Sequence, residues 1–160
     1  MSLQEWMTMG IIEEHESSPQ EIGELLDVVR TDLSDARLVA LSSDRRLSCC
    51  YSAILTSARA ALRASGYRVR KGVPSHHYYA IQSLQYTVGF NPLTLRKIES
   101  LGKKRVTAEY VRVGEVSGSM VDDAIELAES CCKHAEDWIR GGHPELAPFR
   151  FPYSPKPAFR

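Results

Sequence analysis

The sequence lacks several features that would assign it directly to a known class of proteins. No apolar run in its 160 residues approaches the roughly 20 residues that a membrane-spanning helix needs. The first residues, MSLQEWMTMGIIEEHESS, carry acidic side chains where a secretion signal carries basic ones. There is no internal repeat, no useful length of strand-like alternation and no glycine-rich phosphate loop. We therefore expect a soluble, cytoplasmic protein without a membrane segment.

Cysteine is also scarce, and its spacing argues against two kinds of site. The four cysteines form two adjacent pairs, Cys49-Cys50 and Cys131-Cys132. Adjacent cysteines rarely bridge each other, and without a secretion signal a disulfide framework is not expected. His134 follows the second pair, but the second spaced pair that characterises zinc motifs is missing. We predict buried free thiols, no metal site and no cofactor.

The composition is that of an ordinary globular domain, and the net charge of zero hides a pattern. Apolar residues make up 43% and charged residues 25% of the chain. Residues 1–43 carry a net charge of −7, residues 44–105 carry +10, and residues 106–160 carry −3. A basic middle suits a polyanion partner on one face. The alternative is that oppositely charged side chains on neighbouring helices simply pair with one another.

Apolar residues recur at helical spacing through most of the chain. The predicted helices extend from Pro19 to about residue 39, from about Leu47 to Gly66, from about His76 to Val88, from Pro92 to beyond Leu101, and from Ser119 to Gly141. Ser18 with Glu21, and Ser119 with Asp122, are spaced as capping boxes, and Ser75 can cap the third helix. The fold class predicted is all-α, an antiparallel bundle of about five helices.

The two ends of the chain differ from this helical part. Residues 143–160, HPELAPFRFPYSPKPAFR, contain five of the eight prolines and four aromatic residues. Proline excludes a regular helix, and the aromatics indicate packing along the bundle or a partner. We divide the chain into an N-terminal extension (1–17), a helical bundle domain (18–142) and a Pro/aromatic-rich C-terminal arm (143–160).

The first candidate site lies in GKKRVTAEYV, residues 102–111. Ile98, Leu101 and Arg105 are spaced i, i+3, i+7, which places Arg105 on the inner face of the fourth helix. A guanidinium there needs a carboxylate or a phosphate partner. The alternatives are a structural salt bridge or a helix that has already ended. Lys103 and Lys104 add positive charge beside it.

A second candidate anion site precedes the third helix. Arg70 is followed by His76 and His77 at spacings x5 and x6, with Lys71 and Ser75 between them. The free N–H groups at a helix start also favour a phosphate. The alternative is that both histidines are merely polar residues of a first turn. We expect this site to belong to the same basic groove as Arg105.

A third feature is the polar face of the second helix. It consists of Arg45, Ser48, Ser52, Thr56, Arg59 and Arg63. A phosphate backbone could lie along such a strip, with the arginines making bidentate contacts. The alternative is a solvated helix face.

The stretch CYSAILTSARAALRASGYRVRKGVPSHHYYAIQSL, residues 50–84, resembles the HEPN superfamily (higher eukaryotes and prokaryotes nucleotide-binding domain). The shared order is a helix rich in Tyr, Ser and Ala, a run of small residues, a polar turn with His, and an amphipathic helix. KKRVTAEYV then stands where that superfamily has its Arg-x4–6-His motif. The resemblance covers roughly residues 20–140.

The resemblance implies a metal-independent ribonuclease of the toxin kind, with a nucleotidyltransferase-type antitoxin as partner and a homodimeric state. In that motif the arginine holds the scissile phosphate and the histidine assists attack by the 2′-hydroxyl. Arg105 takes the arginine position, but Val106 stands where Asn is common and Tyr110 stands where His is expected. A tyrosine is a poor base at neutral pH, although it can donate a hydrogen bond to phosphate. Glu109 can supply a base, but its carboxylate would repel phosphate.

Two functions therefore stay open. One is an RNA-cleaving enzyme with Arg105, Tyr110 and Glu109 as catalytic residues. The other is a non-catalytic helical module that binds nucleotide, RNA or a protein partner. In both, RNA or phosphate would be bound by Arg70, Lys71, His76, His77, Arg59, Arg63, Lys103 and Lys104. The missing histidine favours the second function.

Overall fold

A computed structural model describes residues 1–110 and 116–148, with side chains described for all of these except 108–110. The fold is mostly helical, as predicted, with six helices and one two-stranded sheet in the described part. The elements are α1 (Leu3–Thr8), β1 (Ile12–Glu14), α2 (Pro19–Ala36), α3 (Ser43–Ala64), β2 (Tyr67–Val69), α4 (His76–Gln82) followed by a 3-10 turn (Ser83–Gln85), α5 (Pro92–Tyr110) and α6 (Gly118–Gly142). None of these helices is long and apolar enough to cross a membrane.

Helix α3 is the centre of the bundle. It is buried on most of its surface, and many of its buried residues are alanines, which allow neighbouring helices to approach closely. Its start packs near the start of α6, where Leu47 and Ala124 line one groove. Its end packs near the end of α6, where Ala64 and Ile139 share a cluster. These two helices therefore run in the same direction.

Helix α2 runs antiparallel to α3. Arg63 near the end of α3 contacts Glu21 at the start of α2, and Arg46 near the start of α3 donates to the Ala36 carbonyl at the end of α2. The antiparallel arrangement predicted for the bundle is thus seen between α2 and α3, whereas α3 and α6 run parallel. Helices α4 and α5 lie between α3 and α6 in the chain, so these two helices are not joined by a single turn.

The helix starts follow the predicted chemistry only in part. The Ser18 hydroxyl accepts a hydrogen bond of 3.2 Å from the Glu21 N–H, as predicted, but the Glu21 carboxylate pairs with His15 and Arg63 rather than closing a capping box. Helix α6 is capped by Ser117, whose hydroxyl accepts from the Met120 N–H at 3.3 Å. The predicted cap at Ser119 is wrong because the helix begins before it.

The third predicted helix is shorter than expected. Helix α4 ends at Gln82 instead of Val88. The Ser83 hydroxyl donates to the Ala80 carbonyl at 2.6 Å, and such side-chain bonds compete with the regular helical pattern. Ser75 does not cap the helix through its side chain. Its backbone is left-handed, with φ +62°.

The first 17 residues contain structure that the sequence did not indicate. Trp6 of α1 is 4% exposed and meets the rings of Tyr79 and Tyr86 edge-on, with centroids 5.4 and 5.2 Å away. Strand β1 pairs antiparallel with β2, with Ile12 opposite Val69. Strands of three residues are too short to show a clear alternation.

The C-terminal arm is described only as far as residue 148. Pro148 lies against Gly23 of α2, and its carbonyl accepts a hydrogen bond of 3.0 Å from Arg140 of α6. Phe149, Phe151, Tyr153 and Phe159, on which the packing prediction for the arm depends, lie outside the described residues.

A buried carboxylate joins α2 to α6. Glu136 is 1% exposed and accepts hydrogen bonds from Arg30 of α2 at 2.6 Å and from Arg140 of its own helix at 3.0 Å. Removing one partner of a buried ion pair is costly because the other charge stays behind without compensation.

We expect Glu136→Ala to lower the free energy of unfolding by about 3 kcal/mol, since it leaves the largely buried Arg30 guanidinium with only its longer, 3.5 Å contact to the more exposed Asp27. Urea unfolding followed by circular dichroism measures this change. Lys133→Ala is the control, because it removes an exposed ion pair with Asp137 on the same helix and should cost no more than about 0.5 kcal/mol. Equal losses for both variants would show that Glu136 has no special role.

We expect Ser75→Gly to raise the free energy of unfolding by about 1 kcal/mol, because glycine adopts a left-handed backbone without a Cβ clash. Ser65→Gly is the matched control. Ser65 has φ −76°, and its hydroxyl donates to the Ala61 carbonyl, so this variant should be destabilised. Thermal unfolding of both variants provides the test, and a loss of stability in Ser75→Gly would contradict the argument.

Candidate functional site

The candidate site is built around the ring of Tyr51, which is 8% exposed on α3. The guanidinium carbon of Arg105, on α5, lies 4.8 Å from the centroid of this ring, a cation–π distance. Helix α5 can come this close because residue 102 is glycine. A Cβ at Gly102 would lie 2.9 Å from Tyr51 Cε2, so a larger residue would force the ring or the helix to move.

Two further basic side chains act on the same ring. His77, in the first turn of α4, has its ring centroid 6.1 Å from that of Tyr51. Arg59 lies on α3, roughly two helical turns beyond Tyr51, and its charge acts on both Tyr51 and His77. Helices α5 and α4 thus place Arg105 and His77 against one phenol, and Arg59 of α3 is near enough for its charge to act on it. We call these four residues the Tyr51 cluster.

The electrostatics of the cluster favour a neutral imidazole. Burial of part of the ring is the largest cause that lowers the pKa of His77. The positive charges of Arg59 and Arg105, followed by that of His76, lower this pKa further. A histidine with a lowered pKa is unprotonated at neutral pH and can accept a proton.

The phenol of Tyr51 stays protonated at neutral pH. Burial raises its pKa, and the opposing effects of Arg105 and Arg59 do not cancel the shift. Its hydroxyl therefore remains a hydrogen-bond donor. Burial, and then the charge of Arg63, lower the pKa of Arg59, but a guanidinium keeps its charge at neutral pH.

A pocket of about 210 Å³ adjoins this cluster at the end of α3, and we call it the basic pocket. It is lined by Arg59, Leu62, Arg63, Arg68, Val69, Lys71 and His76. Arg63 pairs with Glu21 and Arg68 pairs with Glu13, each at 2.8 Å. In the described part of the chain, no carboxylate lies within 4.0 Å of Arg59 or Lys71.

The structure separates some residues that the sequence grouped together. The Arg70 guanidinium lies against the turn at Gly10, where Nη1 would be 3.3 Å from an added Cβ, and Arg70 does not line the basic pocket. Lys104 lines a different groove, with Lys97 and Asp123. Lys103 is exposed on α5.

The predicted catalytic residues are described to different extents. Arg105 follows Ile98 and Leu101 on the inner face of α5, as their spacing indicates. The backbone of Glu109 and Tyr110 belongs to the last turn of α5, but their side chains lie outside the described residues.

The polar strip predicted along α3 is not open along its length. Ser52 donates a hydrogen bond of 2.7 Å to Asp32 of α2, and Thr56 is buried. Helix α2 therefore covers the middle of the strip. Arg59 and Arg63 remain available at its end, where they line the basic pocket.

Tyr51, at the centre of the candidate site, was not predicted from the sequence, because its helical spacing assigns it to the apolar core. The sequence does contain one indication that Tyr51 lies near a basic residue. Tyr51 and Arg59 are about two turns apart on one helix and so lie on neighbouring faces. The close approach at Gly102 had no such signal, because it depends on how α5 packs.

The cysteines take no part in the site. Cys50, Cys131 and Cys132 are buried and free, as predicted, and Cys49 is half-buried. Burial raises the pKa of Cys50 and that of Cys131 to about 12, so these thiols are unreactive at neutral pH. Across the described residues, no three or more His, Cys, Asp or Glu side chains are grouped to hold a metal ion.

Comparisons with protein-family models, with curated proteins and with solved structures found no match to this chain. What the site does must therefore be inferred from its own side chains.

We expect NMR titration to give His77 a pKa below the ordinary value for histidine. Arg105→Gln should raise this pKa, because it removes a positive charge that opposes protonation of the imidazole. Lys97→Gln is the matched control: it removes a positive charge from the same helix in a separate groove and should leave the pKa of His77 unchanged. Equal shifts in the two variants would show that Arg105 does not act on His77 at close range.

Proposed function

We propose that this chain has a HEPN-like fold and cleaves RNA without a metal ion, using the Tyr51 cluster. The observation that supports this most directly is that Arg105 and a neutral His77 lie against one phenol, with the charge of Arg59 acting on both His77 and Tyr51. Guanidinium groups bind phosphate oxygens through paired hydrogen bonds. An unprotonated imidazole beside them supplies the proton acceptor that RNA cleavage needs.

The proposed reaction is an internal transfer of the phosphoryl group. His77 accepts the proton of the ribose 2′-hydroxyl, and the 2′ oxygen attacks the adjacent phosphorus. The bond from phosphorus to the 5′ oxygen breaks, and that oxygen takes a proton from water. The products are a 2′,3′-cyclic phosphate and a free 5′-hydroxyl, and His77 then releases its proton to solvent. Arg105 and Arg59 stabilise the negative charge on the non-bridging oxygens.

This proposal changes the roles that the sequence suggested. The proton acceptor is His77 rather than Tyr110 or Glu109, because a histidine changes protonation state near neutral pH and a tyrosine does not. Tyr110 keeps a secondary role as a hydrogen-bond donor to phosphate. Tyr110→Phe should therefore reduce cleavage less than His77→Ala does.

A second function, RNA binding without cleavage, is favoured by the basic pocket. Two of its cations, Arg59 and Lys71, have no carboxylate within 4.0 Å in the described part of the chain. Such cations bind a phosphate backbone whether or not a bond is broken. From the HEPN resemblance we also propose a cytoplasmic homodimer with a nucleotidyltransferase-type antitoxin as its partner.

The test is cleavage of end-labelled single-stranded and structured RNA by the purified protein in EDTA. We expect fragments ending in a cyclic phosphate, and a rate at least about 100-fold lower for His77→Ala. Arg105→Ala should be similarly impaired. His134→Ala and Lys97→Gln are the controls, because both side chains lie on other surfaces.

The outcomes separate the two functions. Cleavage that survives both His77→Ala and Arg105→Ala would show that the activity comes from elsewhere. No cleavage of any RNA, together with binding that weakens as salt rises, would support the non-catalytic function.

A further inference from the structure

We infer that the basic pocket binds the phosphate next to the one held at the Tyr51 cluster, so that the substrate is a strand with two adjacent phosphates rather than a mononucleotide. This inference rests on the proposed function, because it takes the Tyr51 cluster as the position of the first phosphate.

The charges of the basic pocket match one phosphate group. Four guanidinium or ammonium groups line it, on Arg59, Arg63, Arg68 and Lys71. Two of them are balanced by carboxylates, through the pairs Arg63–Glu21 and Arg68–Glu13. The remaining excess, on Arg59 and Lys71, is about two positive charges, which suits a phosphodiester or a terminal phosphate.

The ion pairs also position the two arginines. Glu21 of α2 accepts a hydrogen bond from Arg63 and Glu13 of β1 accepts one from Arg68, each at 2.8 Å, and these bonds orient the two guanidinium groups. A guanidinium bonded to one carboxylate still has N–H donors for a second oxygen anion. Leu62 and Val69 form an apolar part of the wall, which lowers the local dielectric and strengthens these interactions.

The basic pocket and the Tyr51 cluster are contiguous. Arg59 lines the pocket and also acts on both Tyr51 and His77. His76 lines the pocket while its neighbour His77 faces Tyr51. A single arginine between two anion positions is the arrangement expected where consecutive phosphates of one strand are held.

Lys71 allows the basic pocket to be tested separately from the Tyr51 cluster. It is exposed in the turn after β2, and that turn depends on Gly72, whose φ is +84°. Lys71 lines the pocket but is not among the groups that shift the pKa of His77 or Tyr51.

The experiment compares two probes that cannot be cleaved, both 2′-O-methyl dinucleotides. One has only its internal phosphodiester, and the other also carries a terminal phosphate. We expect the second phosphate to lower the dissociation constant for the unaltered protein at least about tenfold, which corresponds to the free energy of one charge-assisted hydrogen bond. Lys71→Gln should lose most of this gain, whereas Lys71→Arg and Lys97→Gln should keep it.

The possible outcomes test the inference about the basic pocket separately from the proposed cleavage of RNA. An equal gain in Lys71→Gln and in the unaltered protein would show that the second phosphate does not enter the basic pocket. No gain at all, in a protein that still cleaves RNA, would refute the pocket's role and leave the cleavage proposal standing. A gain that depends on Lys71, in a protein that cleaves no RNA, would support the pocket and refute cleavage. Matching thermal unfolding of Lys71→Gln and Lys71→Arg shows that a loss does not come from misfolding.

Discussion

Helix α3 packs against other elements on almost every side, so the size of its surface side chains determines how closely those elements can approach. Its alanines let α2 and α6 approach closely, because they fill little of the space between the helices. The same principle applies where α5 crosses Tyr51, since Gly102 leaves room for the ring. Small residues at these crossings therefore determine which larger side chains come together, and Arg105 reaches Tyr51 for this reason.

The buried carboxylate in this core has partners that compensate for its loss of hydration. Glu136 is held by Arg30 and Arg140, and such a network ties α2 to α6. The end of α3 differs, because Arg59, Arg63 and the neighbouring Arg68 bring like charges together. Glu21 and Glu13 offset only part of this repulsion. An excess of positive charge in a partly apolar pocket is most stable with an anion bound.

Much of the helical framework could be predicted because helices leave local signals in the sequence. The start of α2 was marked by Ser18 and Pro19, and the buried face of α5 was marked by Ile98 and Leu101. The errors arose where a choice depended on distant residues. The three-residue strands form only because β1 and β2 meet each other, and no alternation of three residues indicates that.

The sequence by itself determined that the chain is mostly helical, that its middle is basic and that Arg105 faces inward, because periodicity and charge are local properties. Only the tertiary structure decided that Arg105 and His77 lie against the same ring, whereas Arg70 lies against Gly10. It also decided that Tyr51 belongs to this cluster and that α2 covers Ser52. Helical periodicity specifies which face of a helix is buried, but the packing of the helices decides which neighbour covers that face.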